Sequence, residues 1–165
     1  MISVRTIICK LGGQPNSSPE IIKSYPHLDP SSGQSKKLLL ACLPMGTKID
    51  TFSVGNHNKH DVVSYAFKIM HSDDRGDLFT LSILLKKRLD AEIYKPILKS
   101  IIDKMREEQI LTEAVLIKYT ETIHLGINEE KNIKIGEYQV ELSPIFEEIR
   151  IKLTKPKPEL KGSFF

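Results

Sequence analysis

The residues best suited to chemistry are His57, His60, His71, Asp73 and Asp74, the side-chain types that hold divalent metals. His57 and His60 straddle a polar loop and His71 ends the next strand, so a hairpin can bring them near one another. Their spacing matches no zinc pattern, however, and polar loops collect such residues anyway. A solvated loop is the simpler reading, and no metal is expected. Arg75 stands among Asp73, Asp74 and Asp77, where the ordinary outcome is a surface ion pair of small energetic value. Glu147 and Glu148 lack a partner acid at a separation usable for acid–base work.

Several reaction classes have no support in the sequence. There is no Gly-x-x-x-x-Gly-Lys-Ser/Thr loop for nucleotide hydrolysis and no Gly-x-Ser-x-Gly elbow. Gly12-Gly13 precedes turn formers and not a helix, so it makes no phosphate cradle. Cys9 and Cys42 each lie in an apolar segment without Cys or His at metal-ligand spacing, and read as buried thiols. No nucleophile, base and orienter set emerges. A non-catalytic protein without cofactor is expected.

Composition agrees with a globular chain of one-domain size: 165 residues, 40% hydrophobic and 27% charged. The net charge of +3 is small, and the lysines interleave with glutamates along the chain, which argues against nucleic acid as a partner. No stretch approaches the ~20 apolar residues of a membrane helix, and residues 1–5 lack signal-peptide character. A soluble, cytoplasmic protein without stable membrane insertion is the expectation.

These residues need elements to position them. Residues 2–9 read as a strand, residues 12–19 as a turn cluster, and residues 20–25 as a second strand stopped by Pro26. Residues 36–43 (KKLLLACL) suggest a short buried helix, although so short an apolar run does not exclude a strand. Residues 51–55 form a short strand before a polar loop over 56–60. Val63, Tyr65, Phe67 and Ile69 alternate with Ser64, Ala66 and Lys68, the clearest strand in the chain. Residues 78–85 are apolar on both faces, as a central strand covered on both sides would be.

Two helices follow. Ile93, Ile97, Ile101 and Met105 recur every four residues, with Asp90 as N-cap and Pro96 forcing a kink or a nearby start. Thr112 caps a second helix bearing Val115, Tyr119 and Ile123, with Gly126 as its stop. The short linker predicts antiparallel packing on one sheet face. Residues 133–142 suggest a small hairpin with Gly136 first in its turn, and residues 145–153 a helical turn or a strand. Residues 129–154 thus read as an extension, and the proline- and lysine-rich residues 155–165 as a disordered tail.

The resulting order, β-β-α-β-β-β-α-α, is that of longin domains. Residues 1–126 resemble the N-terminal longin domain of nitrogen permease regulator 2-like proteins and, more distantly, folliculin and the N-terminal part of DENN modules. Ser18-Pro19-Glu20-Ile21-Ile22-Lys23-Ser24-Tyr25-Pro26 looks like their second strand. Asp74-Arg75-Gly76-Asp77-Leu78-Phe79-Thr80-Leu81 is similar to the segment entering their fifth strand, and residues 93–123 match their paired helices.

The resemblance implies an α/β (α+β) fold of the longin-like, profilin-like type over residues 1–128. A central five-stranded, mostly antiparallel sheet would carry helices on both faces. It also implies a protein-interaction scaffold in small-GTPase regulation or vesicle trafficking. Partners would be a small GTPase, another longin- or roadblock-type subunit, or a second copy in a homodimer. In that family an arginine matched by Arg75 serves as an arginine finger, so a GTPase-activating role for Arg75 is the alternative expectation. A guanidinium on an exposed loop can neutralise charge on a transferring phosphoryl group, whereas three neighbouring aspartates would repel one.

Overall fold

The alternation of Val63, Tyr65, Phe67 and Ile69 folds as a strand, β4 (His60–Met70), in a computed structural model that describes residues 1–70 and 76–154. It pairs antiparallel with β5 (Gly76–Leu85), Val63 opposite Ile83 and Phe67 opposite Phe79. β1 (Ser3–Leu11) lies on the other side of β5, β2 (Glu20–Tyr25) beyond β1, and β3 (Phe52–His57) beyond β4. The sheet order is β2-β1-β5-β4-β3 and every pair is antiparallel. The expected sheet of five strands is therefore present, with β5 at its centre.

Period-2 alternation gives each central strand two apolar faces. On one face Ile8, Tyr65, Phe67, Phe79, Leu81 and Ile83 form a cluster with the helices that follow. On the other, Ile7, Cys9, Val62 and Leu84 meet α1 (Gly33–Cys42) through Leu38, Ala41 and Cys42. Ser32 caps α1, its hydroxyl accepting from Ser35 N at 3.1 Å. Gly55 permits α1 to sit directly on β3, since a Cβ there would lie 2.8 Å from Ala41 O.

Asp90 caps a short 3-10 turn, Ala91–Tyr94, by accepting from Glu92 N. α2 (Lys95–Glu107) then starts with Pro96 in its first turn, where no backbone donor is needed. Its stripe of Ile97, Leu98, Ile101, Ile102 and Met105 is fully buried, worth roughly 1.5–3 kcal/mol per side chain. Thr112 caps the next helix as expected, accepting from Val115 N.

That helix differs from expectation in two ways. It breaks at Tyr119 into α3 (Glu113–Lys118) and α4 (Thr120–Glu129). At the break the Thr120 hydroxyl donates to Leu116 O at 2.7 Å, a back-bond that bends helices. Gly126 is not the stop. It lies buried inside α4, where any Cβ would overlap Ile133, so its role is close packing. Glu130 ends the helix in the left-handed region (φ 55).

The polar loop expected over residues 56–60 is also shorter than its composition suggests. Asn56, His57 and His60 belong to strands, and only Asn58 (φ 51) and Lys59 (φ 68) turn. Two consecutive left-handed residues match the twist of a tight hairpin. The hairpin with Gly136 (φ 62) in its turn forms as β6 (Ile133–Ile135) and β7 (Tyr138–Val140), and α5 (Ser143–Thr154) follows as a helix. Ile133, Ile135, Val140, Phe146 and Ile149 join the same apolar cluster as α2 and α4.

Candidate functional site

His71, Asp73, Asp74 and Arg75 lie outside the described residues, as does the tail 155–165. The two histidines that can be placed are separately engaged. His60 Nδ1 is 2.8 Å from Leu85 O, and His57 Nε2 is 3.3 Å from the Asn58 side-chain amide. Burial pushes the His57 imidazole below its ordinary pKa, helped by the charges of His60, Lys37 and Arg5. Among the described residues no group of three or more His, Cys, Asp or Glu side chains is arranged to hold a metal. Glu147 is exposed on α5 with Arg150 at 2.7 Å.

Asp77 departs from the surface role expected of it. It is buried, accepts from Gly13 N at 2.8 Å and has Lys10 Nζ at 3.7 Å. This carboxylate ties the Gly12–Gly13 loop to the start of β5. Gly13 itself sits so close to Gly76 O that a Cβ would lie 2.7 Å away.

Cys9 and Cys42 face each other between β1 and α1 and are both wholly buried. A hydrogen bond with Cys42, followed by burial, pushes the Cys9 thiol well above its ordinary pKa. Such a thiol packs as a small apolar group and is a poor nucleophile.

A polar network that the sequence pattern did not announce lies under α4. Thr6 Oγ1 is 2.9 Å from His124 Nδ1, and His124 Nε2 is 3.2 Å from the Asn128 amide. The Tyr25 ring meets His124 edge-on at 5.1 Å. Burial, then the charge of Arg5, lowers the His124 pKa. His124 and Asn128 thus contact neighbouring side chains and the Ser3 backbone, which describes a structural clamp.

The two edges of the sheet differ in a way that bears on association. β2 carries Glu20 and Lys23, ends at a proline, and pairs with β1 across a register shift. Charge, proline and irregularity are devices that discourage strand addition. β3, FSVGNH, has no Lys, Arg, Asp, Glu or proline, and pairs with β4 in unbroken register. Large apolar side chains stand exposed on and beside it: Val54 at 44%, Ile49 at 44%, Leu40 at 58% and Met45 at 95%. A shallow cavity of about 300 Å³ opens among Pro44, Met45, Lys48 and Phe52. An uncharged, regular edge with apolar neighbours is chemically equipped to accept another strand. No family model matches this chain, and no curated protein matches it either.

Proposed function

We propose that this chain is a longin-like, non-catalytic interaction domain that pairs with another protein chain through the edge of β3, within small-GTPase regulation or vesicle trafficking. The unguarded β3 edge carries this reading. Backbone hydrogen-bonding groups on an outer strand are an incomplete ladder, and a second strand satisfies them without rearrangement. The sheet order β2-β1-β5-β4-β3, with α1 on one face and α2 to α4 on the other, supports the longin-like arrangement.

The partner suited to this edge is a second copy of the chain, which brings its own β3, or a longin- or roadblock-type subunit with an outer strand to offer. Light scattering on the purified protein, alone and mixed with such a subunit, tests the idea. The expected result is a complex that Val54→Lys abolishes, while stability changes by less than about 0.5 kcal/mol at this half-exposed site. A complex indifferent to Val54→Lys, or none with either partner, removes the edge from the reading.

A further inference from the structure

Lys86, Lys87 and Arg88 are consecutive in the sequence, and strand register adds further cations to them at one end of the sheet. β1 begins at Ser3 opposite Leu85, the last residue of β5, and Lys86 N donates to Ile2 O at 2.9 Å. His60, opening β4, contacts Leu85 O, and His57 closes β3 opposite it. The turn residue Asn58 donates to Gln34 Oε1 at 3.2 Å, which brings the first turn of α1 to the same end. Arg5, Lys37, Lys59, Lys86, Lys87 and Arg88 therefore converge there. All but the partly buried Arg5 are exposed. The charges of Lys37 and Arg5 lie close enough to act on His57.

Three carboxylates stand at this end against the six cations, Asp29 and Asp90 in its loops and Asp61 in β4; Asp29 accepts from Ser31 and Asp90 from Glu92 N. Glu129 and Glu130, at the end of α4, have Lys131 and Arg150 as their own cations. Among the described residues, Lys37, Lys59, Lys86, Lys87 and Arg88 have no carboxylate at ion-pairing distance. The cations of α2 contrast with them: Lys95, Lys99, Lys104 and Arg106 are all paired. Unpaired cations concentrated on one surface create a field that attracts anions.

We propose that this end of the sheet is a docking surface for a membrane bearing anionic phospholipids. The form of the patch favours a lipid surface over an acidic protein. These cations gather along the ends of β1, β5, β4 and β3, four neighbouring strands that span about 14 Å at ~4.8 Å per strand spacing. None of the six lines a described cavity. Such a broad, shallow array suits a fluid lattice of headgroups, which adjusts to the cations, better than a partner needing fixed geometry. The idea does not rest on pairing at β3, and its assay reads lipid contact directly.

The test is flotation of the full chain with phosphatidylcholine vesicles, with and without phosphatidylglycerol. The expected result is binding only to the anionic vesicles, weakening as salt shortens the screening length. The variant Lys86→Glu/Lys87→Glu/Arg88→Asn should lower partitioning at least about tenfold; asparagine suits the left-handed backbone of Arg88 (φ 74). Should that variant fail to fold by circular dichroism, Lys37→Glu/Lys59→Asn probes the same surface from α1 and the β3–β4 turn. An equal loss in the control Lys48→Glu/Lys118→Glu/Lys134→Glu would mean that net charge alone acts, and would overturn the site. Binding to a poly-glutamate peptide but not to vesicles would overturn it in favour of an acidic protein, and binding to neither would end it.

Discussion

Asn128 grips the backbone of Ser3 from both sides: its Oδ1 accepts from Ser3 N at 2.7 Å while its Nδ2 donates to Ser3 O at 2.9 Å. The same Oδ1 accepts from Ile2 N at 2.7 Å, so one side chain on α4 closes the start of β1 across 125 positions. Asn128→Ala leaves two backbone donors and one acceptor without these partners. Each such bond is worth about 1 kcal/mol net, so a loss of roughly 2–3 kcal/mol is expected in urea unfolding. A loss under about 0.5 kcal/mol would mean that water replaces the amide there.

His124 makes stability depend on pH, and the direction follows from its depressed pKa. Its imidazole is held down by burial and by Arg5, with Thr6, Tyr25 and Asn128 as its other neighbours. Below the unfolded value of about 6.5 the unfolded chain binds a proton that the folded side chain resists. Stability is therefore fully present above that pH and falls as the pH drops toward the lowered folded value. Thermal unfolding should show a lower Tm at about pH 5.5 than at about pH 8. His124→Gln should flatten the slope, with the remainder coming from His57, which is shifted the same way. An unchanged slope in His124→Gln would exclude this residue as the source.

Cys9 and Cys42 should resist thiol reagents until the protein opens. Both are fully buried, and the Cys9 thiol is pushed up by its hydrogen bond with Cys42 and by burial, so little thiolate forms. In native buffer an aromatic disulfide reagent should label neither, and in denaturant both. Fast native labelling of Cys42 would show that α1 detaches from the sheet far more readily than its packing implies.

Arg75→Ala should leave single-turnover GTP hydrolysis by candidate small GTPases unchanged in the presence of this protein. An arginine finger contributes about 10³–10⁵ in rate, so even a weak finger would be evident in its loss. A fall of that size would replace the scaffold reading with the GTPase-activating one, while the β3 pairing assay would be unaffected.

Local rules written in the sequence account for much of this fold. The alternation of Val63 to Ile69 and the two apolar faces of residues 78–85 dictated neighbouring strands with β5 innermost. Asp90, Pro96 and Thr112 marked helix starts, because caps and proline act through backbone groups within one turn. Gly126 was opaque for the opposite reason. A glycine at the end of a periodic run resembles a helix stop, and only the approach of Ile133 reveals it as a packing site. Asp77 likewise has the appearance of a surface charge until its long-range partner, Gly13 N, is known. The Asn128–Ser3 clamp, the contrast between the β2 and β3 edges, and the gathering of Lys86, Lys87 and Arg88 with Lys59 and Lys37 are relations between distant positions. Composition and periodicity fix what a segment is, but strand order and register decide which segments share an end or an edge, and that is where this protein's surfaces are made.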